Sequence, residues 1–522
     1  MYQSLLTRRY LTSKVMPLLA AICVGLCCAM VFIAWSIMGG FLSMLLEVGR
    51  KMEGDVSIVW PTVGFAHYED LIKRLEQDPL VAGAAPMIDA FGMLNLPDNR
   101  VIGVSIKGID ERFAKVSDYA NQLWWKPIDH PVQRDKAGDD PRLDPRDKDL
   151  WQGLYEHGLR LEKPDPKSGE MKPAAVLGIE VSGFSIRRPE GFYWPARNVG
   201  KRTDVGGMEW IPGFIVGHSV TLNLLPMDKK GRTNNLNSVS LRLPVANEFR
   251  TGLFEADKNT VLVRLSELQR ALRMDDAERV DAPTTDPYAI HGEGVGEKAP
   301  ARAAVGVDPA RVTTVLVRGK DGVASEELRQ RAIEIYREFA AAHAGEVPDV
   351  ERLAESNAIS TWERKQSTFI GAVKKETSIV VGMLLFISLV CAVLILAIFW
   401  AMISEKTKDI GILRAVGASS GGVAWLWLRY GLVIGVTGAS LGMAIGCIVV
   451  WNINPIHEWL GQRFGLTLWD PSVYYFPEIP HRVEPDKVFW VVVSIVFFSL
   501  LGSIIPALRA AMMNPVRALR FE

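Results

Sequence analysis

Four stretches of this 522-residue chain contain no Asp, Glu, Lys or Arg. A bilayer core about 30 Å thick is crossed by a helix of about 20 apolar residues. The four runs have 32, 28, 28 and 21 residues and are Val15–Leu46, Thr377–Ser404, Tyr430–His457 and Val488–Leu508. The sequence therefore predicts an α-helical membrane protein with four transmembrane helices, and it disfavours a soluble enzyme or a secreted disulfide scaffold.

The charges of the chain are balanced and lie between the apolar runs. The 59 basic and 59 acidic residues give a net charge of zero. A neutral chain lacks the electrostatic footprint of a nucleic-acid binder, so we expect no nucleic-acid partner. All five cysteines lie inside the runs, where we expect them to pack as small apolar residues: Cys23, Cys27, Cys28, Cys391 and Cys447.

Basic residues in short connections predict how the chain is oriented in the membrane. The N-terminal segment, the connection between the second and third runs, and the C-terminal tail together carry ten Lys and Arg residues, whereas the connection 458–487 carries three. We therefore expect cytoplasmic N and C termini, although four basic residues just before the second run point the other way. The first run is too long for the core of a signal peptide, so we expect an uncleaved anchor that continues as a helix beyond the membrane.

The domain plan has three parts: residues 1–49 with the first span (TM1), 50–375 outside the membrane, and 376–522 with the other three. The middle part mixes period-two and helical patterns and predicts a large α+β domain between the first two spans. Two charged segments, 133–149 and 275–310, are expected to be insertions outside its core. Extended segments are predicted at 55–60, 84–96, 101–109, 174–177, 219–225, 238–243 and 260–263, and helices at 68–77, 265–272 and 325–342.

In the last part, we predict spans at about 377–403 (TM2), 425–451 (TM3) and 488–508 (TM4). Apolar and basic residues alternate through 362–375, which predicts a helix lying on the outer leaflet.

No group of residues in the sequence has the spacing of a catalytic site. The histidines are scattered singly, without the spacing of metal ligands, so we expect no metal. The nucleotide-binding pattern Gly-x-x-x-x-Gly-Lys-Ser/Thr does not occur in the chain. We therefore expect neither an enzyme nor a cofactor bound by this chain itself.

A short amphipathic segment, 405–416, separates the second and third spans. Ile410, Leu413 and Val416 recur at helical spacing, and Gly417 is a natural helix end. The pattern fits either a charged loop on the membrane surface or a helix that docks into a groove of a cytoplasmic partner. Its charged residues are Glu405, Lys406, Lys408, Asp409 and Arg414.

The third span carries glycines at regular spacing. Small residues on one helix face let a neighbouring helix approach closely, so we predict a tight bundle or a dimer seam. The glycines are Gly431, Gly435, Gly438, Gly442 and Gly446. The stretch 35–46 in the first run is also unusually apolar, and it fits either core or a face toward a lipid-like ligand.

Several of these segments resemble the FtsX-like permeases of the type VII ABC transporters, and among them the lipoprotein-releasing LolC/LolE branch. The resemblance is carried by residues 405–419, the glycine-rich 431–446 and the ending 506–522. Segments 9–11, 35–41 and 468–476 are similar to the branch as well, and 81–87, 104–110 and 249–257 more loosely. The two charged insertions depart from it.

The resemblance implies a permease subunit of the bacterial cytoplasmic (inner) membrane with a MacB-like periplasmic core. Such permeases form homo- or heterodimers and bind cytoplasmic ABC ATPase subunits, which hold the ATP and Mg and push the coupling helix, here Glu405–Val416. In lipoprotein releasers the first spans form a cavity for acyl chains, and a periplasmic lipoprotein carrier receives the substrate. In this sequence the residues that would line the acyl-chain cavity are Ile37, Met38, Phe41, Leu42 and Leu45. Two alternatives stay open: a tripartite efflux permease for amphiphilic small molecules, and a non-transporting signal transducer that controls cell-wall hydrolases.

Overall fold

The computed structural model describes residues 15–129, 140–188, 192–203, 206–226, 238–280, 304–348, 358–466, 469 and 478–519. Several segments used above lie outside the described residues: the basic N-terminus with 9–11, residues 133–139, 281–303, most of 468–476, and 520–522. The chain forms two compact units. The helical unit comprises the chain up to Leu45 and from Thr368 onward, and the α+β unit comprises Leu46–Ser367.

The helices of the described chain range from one turn to 39 residues. They are α1 (Val15–Glu53), α2 (Tyr68–Glu76), α3 (Phe113–Val116), α4 (Tyr119–Gln122), α5 (Lys148–Arg160), α6 (Phe254–Asn259), α7 (Leu265–Leu272), α8 (Ser325–Ala342), α9 (Trp362–Lys365), α10 (Ser367–Glu405), α11 (Thr407–Ala415), α12 (Ser420–Trp451), α13 (Ile453–Phe464), α14 (Pro485–Ala511) and α15 (Pro515–Leu519).

Four of these helices are long and apolar enough to cross a membrane: α1, α10, α12 and α14. α1 runs to Glu53 without interruption, as predicted. The prediction of a separate surface helix over 362–375 is wrong, because α10 begins at Ser367 and continues to Glu405. The physical reason is that no proline lies between Ser367 and Glu405, so α10 stays helical from its start through the apolar run.

The strands of the described chain belong to the α+β unit. They are β1 (Val56–Val59), β2 (Val81–Asn95), β3 (Val101–Ile109), β4 (Glu162–Pro164), β5 (Met171–Pro173), β6 (Ala175–Gly178), β7 (Ser185–Arg187), β8 (Tyr193–Pro195), β9 (Asn198–Arg202), β10 (Met208–Pro212), β11 (Ser219–Leu224), β12 (Val239–Phe249), β13 (Thr260–Arg264), β14 (Ala277–Val280), β15 (Ala304–Asp308), β16 (Thr314–Gly319) and β17 (Ile359–Thr361).

Nine strands form the main sheet, in the order β11-β12-β6-β13-β3-β2-β16-β1-β17. The long strand β2 takes part in two different pairings along the same edge: its first half pairs with β16 and its second half pairs with β11. The pairing of β2 with β11 closes six strands into a ring, β2-β3-β13-β6-β12-β11. The remaining strands extend the sheet, and α2 and α8 pack on that extension.

The prediction of an α+β domain is confirmed for the described residues. β3 has the predicted bounds, and α7 and α8 lie where the apolar spacing predicted helices. One prediction is wrong: the described part of the 133–149 segment does join the core. Asp140 and Arg142 are 6% and 5% exposed, and the Arg142 guanidinium lies 3.8 Å from the centre of the Trp124 ring. Their mutual ion pair at 2.7 Å is what lets two charged side chains be buried there.

Candidate coupling site and helix packing

Most of the segment predicted to couple to a partner, 405–416, forms α11; Glu405 is the last residue of α10, and Lys406 and Val416 flank α11. Ile410 is 3% exposed and belongs to the apolar core of the helical unit, while Leu413 is half-buried and Val416 is 84% exposed. At 100° per residue, these three side chains spread over about 120° of the helix surface. One edge of the predicted apolar face, at Ile410, therefore packs into the chain's own bundle, and the other edge, at Val416, stays exposed.

Besides Val416, one other large apolar side chain of this segment is exposed: Ile412, at 52%. Ile412 and Val416 are four residues apart and share one side of the helix. Charged groups flank them, including the exposed Lys408 and the pair formed by Lys406 and Asp409 at 2.8 Å. Exposed apolar side chains four residues apart are part of the anchor pattern that a helix docking in a groove presents.

The end of α11 is fixed by hydrogen bonds around Gly417, whose φ is 104°. The amide of Gly417 donates to the carbonyl of Arg414 at 3.2 Å, and the amide of Ala418 donates to the carbonyl of Leu413 at 3.0 Å. This glycine-terminated pattern stops the helix and turns the chain toward α12. Ser419 then accepts a hydrogen bond from the amide of Gly422 at 3.1 Å and caps the new helix.

The C-terminal helix α15 packs against α11. Its Ala518 is buried, whereas Val516 is 65% exposed, and Met512 in the preceding turn is 77% exposed. The C-terminal segment thus supports α11 from one side and adds apolar surface of its own.

The glycines of α12 bring two neighbouring helices close, both within the chain. A Cβ atom on Gly442 would lie 2.2 Å from the carbonyl oxygen of Gly25, and one on Gly446 would lie 2.7 Å from Cδ1 of Phe32. Gly438 faces the same helix, α1. These distances leave no room for a side chain, so the backbones of α1 and α12 are in near contact.

The first two glycines of the row face α14 instead. A Cβ atom on Gly431 would lie 2.5 Å from Oγ of Ser503, and one on Gly435 would lie 3.0 Å from Cβ of Ser499. The hydroxyl of Ser499 donates to the carbonyl of Gly431 at 3.1 Å. The glycine row is therefore buried inside one chain, where it serves tight bundle packing and is not exposed as a dimer seam.

The apolar residues singled out on α1 have different surroundings. Phe41 is 9% exposed and Leu45 2%, and the Phe41 ring packs edge-on to Trp469 with centroids 6.3 Å apart. The hydroxyl of Ser36 donates to the carbonyl of Arg482 at 2.7 Å, so the segment before α14 covers part of α1. The residues that stay partly exposed are Ile37, Met38 and Leu42.

Sequence reasoning missed a charged cluster at the end of α1. The carboxylate of Glu53 lies 2.9 Å from the ammonium of Lys107 on β3 and 2.9 Å from that of Lys365 on α9. The ring of Trp362 packs over Gly49, where a Cβ atom would lie 2.1 Å from Cε2 of the ring. The cluster fixes the end of α1 to a strand of the ring and to the segment that leads into α10. Because its members are far apart in sequence, no local pattern could reveal it.

This cluster forms part of an open cleft of about 760 Å³ in the α+β unit. Exposed apolar side chains of strand β2 and of the loop after β11 contribute to the same cleft: Phe91 is 85% exposed, Met93 49% and Leu225 51%. Burial lowers the pKa of a lysine, but the charges of Glu53 and Asp89 outweigh it and raise the pKa of Lys107. The cleft thus combines the charged groups of Glu53, Lys107 and Lys365 on its floor with apolar side chains at its rim. This combination suits an amphiphilic ligand.

The C-terminal part of the helical unit has a known family likeness. Residues 381–515 match the FtsX-like permease C-terminal family. The matched range holds most of α10, all of α11 to α14, and the first residue of α15. The resemblance to FtsX-like permeases is confirmed for this range.

Individual relatives agree with the family match. The chain is 30% identical over 172 residues to the lipoprotein-releasing system transmembrane protein LolC of Xylella fastidiosa (strain 9a5c). This match covers 33% of this chain and 41% of the relative. It is 28% identical over 144 residues to LolE of Haemophilus influenzae, covering 28% and 34%. It is also 28% identical over 157 residues to the macrolide export ATP-binding/permease protein MacB 2 of Yersinia pestis, covering 29% and 20%. Each match spans less than half of the relative.

Proposed function

We propose that this chain is the permease subunit of an ABC transporter in a bacterial cytoplasmic membrane. The observation that carries the proposal is the exposure of Ile412 and Val416 on α11, inside the range that matches the FtsX-like family. A helix between two membrane-type helices that presents apolar anchors among charges is suited to receive a cytoplasmic ATPase. The ATPase is a separate subunit and binds the ATP and Mg, while this chain supplies no nucleotide site.

The packing of the long helices gives this proposal a mechanical route. A push on α11 moves α12, which is in near backbone contact with α1 through Gly442 and packs closely on Ser503 of α14 through Gly431. α1 continues unbroken to Glu53, whose carboxylate pairs with Lys107 and Lys365 within the α+β unit. ATP-driven closure of the partner thereby becomes movement of the α+β unit, which we place in the periplasm with both termini in the cytoplasm.

We propose lipoproteins of the inner membrane as the substrate. Support comes from the names of the relatives, LolC and LolE of lipoprotein-releasing systems. The half-buried Ile37, Met38 and Leu42 on α1 and the apolar rim near Phe91 are surfaces that acyl chains could occupy. A second permease subunit, the same or different, completes the transporter, and a periplasmic lipoprotein carrier accepts the released substrate.

The coupling proposal is tested by co-purification of the tagged full chain with its ATPase. Val416→Asp and Ile412→Asp should each lose the ATPase, because a charge replaces an apolar anchor, while the chain still enters the membrane. Val307→Asp is the matched control, since Val307 is 65% exposed in the α+β unit. Retention of the ATPase by both α11 variants would reject the coupling role.

The substrate proposal is tested by depleting the chain and following lipoproteins by membrane fractionation. Lipoproteins should accumulate in the inner membrane. Normal sorting together with increased sensitivity to amphiphilic drugs would instead support an efflux permease, the activity named for the MacB 2 relative. Normal sorting with a cell-separation defect would support the signal transducer.

A further inference from the structure

Two histidines and two carboxylates meet on the surface of the α+β unit where α2 begins and α8 ends. His67 is the residue before α2, and Asp70 lies in its first turn. His343 follows α8, and Glu346 lies in the turn after it. Because α2 and α8 pack against each other, the two ends are brought together although His67 and Glu346 are 279 positions apart.

The four groups face one another at bonding distances. Nε2 of His67 lies 2.5 Å from a carboxylate oxygen of Glu346, and Nε2 of His343 lies 3.1 Å from a carboxylate oxygen of Asp70. The two imidazole rings are stacked, with centroids 4.2 Å apart and planes 12° from parallel. A ring nitrogen of His67, a ring nitrogen of His343 and a carboxylate oxygen of Glu346 all lie within 4.8 Å of one another.

The surrounding structure holds these side chains in place. His67 has a left-handed backbone conformation (φ 58°), which is unfavourable for a non-glycine residue. The usual reason for a polar residue at this position is a side-chain cap on the helix, and His67 makes none. On the other side, the ring of His343 packs against the fully buried Phe339 at 5.1 Å.

We propose that His67, His343 and Glu346 form a zinc-binding site. Two imidazole nitrogens and one carboxylate oxygen are a common set of three protein ligands for Zn²⁺, and water completes the four-coordinate geometry. Asp70 adds a second negative charge beside His343, as carboxylates next to metal-bound histidines do. The partial exposure of the histidines, 27% and 23% of their side chains, gives an ion access from solvent.

The site ties the start of α2 to the turn after α8, the two helices that cover the strands extending from the ring. A bound ion would therefore stabilise this part of the α+β unit against opening. This role is independent of the transport function proposed above, and the binding test needs no transport assay.

The experiment uses the purified full chain in detergent, stripped with a chelator and dialysed against Zn²⁺ or Co²⁺. Wild type should retain about one ion per chain at this site, raise its thermal midpoint on Zn²⁺ addition, and give the visible absorption of four-coordinate Co²⁺. His343→Gln and Glu346→Gln should weaken binding about tenfold or more. His218→Gln is the control, because His218 is a histidine of the same unit whose Nε2 bonds the carbonyl of Pro212.

The metal-free thermal midpoints of the variants show whether they fold. His67→Gln gives a second, independent variant if His343→Gln fails to fold. Absence of metal binding by wild type, or unchanged binding in folded His343→Gln and Glu346→Gln, would overturn the proposal and leave the cluster as two ion pairs only.

Discussion

The carboxylate of Glu53 lies 2.9 Å from the ammonium of Lys107, with side-chain exposures of 16% and 10%. Glu53 is the last residue of α1, and Lys107 belongs to β3 of the six-stranded ring. A pair of charges removed from water to this extent is stable only while both partners are present. Within the α+β unit, the last residue of α1 is thus fixed to strand β3 by an interaction that is costly to break on one side.

Lys107→Met should therefore destabilise the chain. Glu53 keeps Lys365 as a partner, so we expect a loss of about 2–4 kcal/mol in the free energy of unfolding, somewhat below the full effect of orphaning a buried charge. The thermal midpoint of the purified chain measures it. Lys51→Met is the matched control, because Lys51 pairs with Glu47 at 2.8 Å in an exposed place and should matter little. Equal midpoints for the two variants would contradict the prediction.

The glycine row of α12 predicts a second contrast. Gly442→Ala places a methyl group where the backbone of Gly25 leaves 2.2 Å, so the helices must separate. We expect a loss of about 1–3 kcal/mol, as for other overpacked sites. Gly382→Ala on α10 has nothing within 4 Å of the new methyl group and should be neutral or slightly stabilising. Thermal stability in detergent measures both, and an equal effect of the two substitutions would show that the close contact is unimportant.

A buried carboxylate makes the stability of the α+β unit depend on pH. Glu248 is fully buried and accepts hydrogen bonds from Nε1 of Trp125 and from the hydroxyls of Ser182 and Ser185. Burial outweighs these donors and raises the pKa of Glu248 from 4.5 to about 7. The folded state therefore binds a proton that the unfolded state releases between pH 4.5 and 7.

The sign follows from proton binding: the stability that Glu248 contributes is complete below pH 4.5 and falls as pH rises to 7, by roughly 3 kcal/mol. Glu248→Gln should remove this fall, so the variant gains on wild type between pH 5 and pH 8. Asp257, whose burial raises its pKa to about 6, keeps its own dependence in both proteins. Thermal midpoints across this pH range test the prediction, and parallel curves for the two proteins would refute it.

Local patterns of sequence were enough for the regular elements. β3 and β13 are short runs of β-branched and apolar residues, and α7 and α8 show clear helical spacing, so each has one plausible conformation. Closure of the ring could not be foreseen in the same way. It depends on the pairing of β2 with β11, which lie far apart in sequence and are marked by no local pattern.

The sequence showed that α11 is amphipathic but not which apolar residues the chain keeps for itself. Ile410 belongs to the apolar core of the bundle, and α15 packs against α11, whereas Ile412 and Val416 stay exposed. The histidine cluster escaped for a similar reason. His67 and His343 are single histidines in their own segments, and only the packing of α2 on α8 makes them neighbours.

The charged segment 133–149 contains a built-in comparison of a buried and an exposed ion pair. Asp140-Pro-Arg142 and Asp144-Pro-Arg146 form the same short helical turn, and in each the aspartate accepts hydrogen bonds from the arginine amide and Nε at 3.0 Å. The arginine side chains differ in exposure, 3% for Arg142 and 88% for Arg146. Charge composition cannot distinguish them, because burial comes from Trp124, on which Arg142 stacks.

Arg142→Met should consequently be strongly destabilising, whereas Arg146→Met should not change stability measurably. Loss of the guanidinium leaves Asp140 buried without its counter-charge, which costs about 3–5 kcal/mol, and also removes the cation that covers the Trp124 ring. Asp140→Asn combined with Arg142→Met should recover part of the loss, since no unpaired charge then remains. Thermal unfolding of the full chain measures all three variants, and a similar midpoint for Arg142→Met and Arg146→Met would show that the buried pair does not secure this segment to the core.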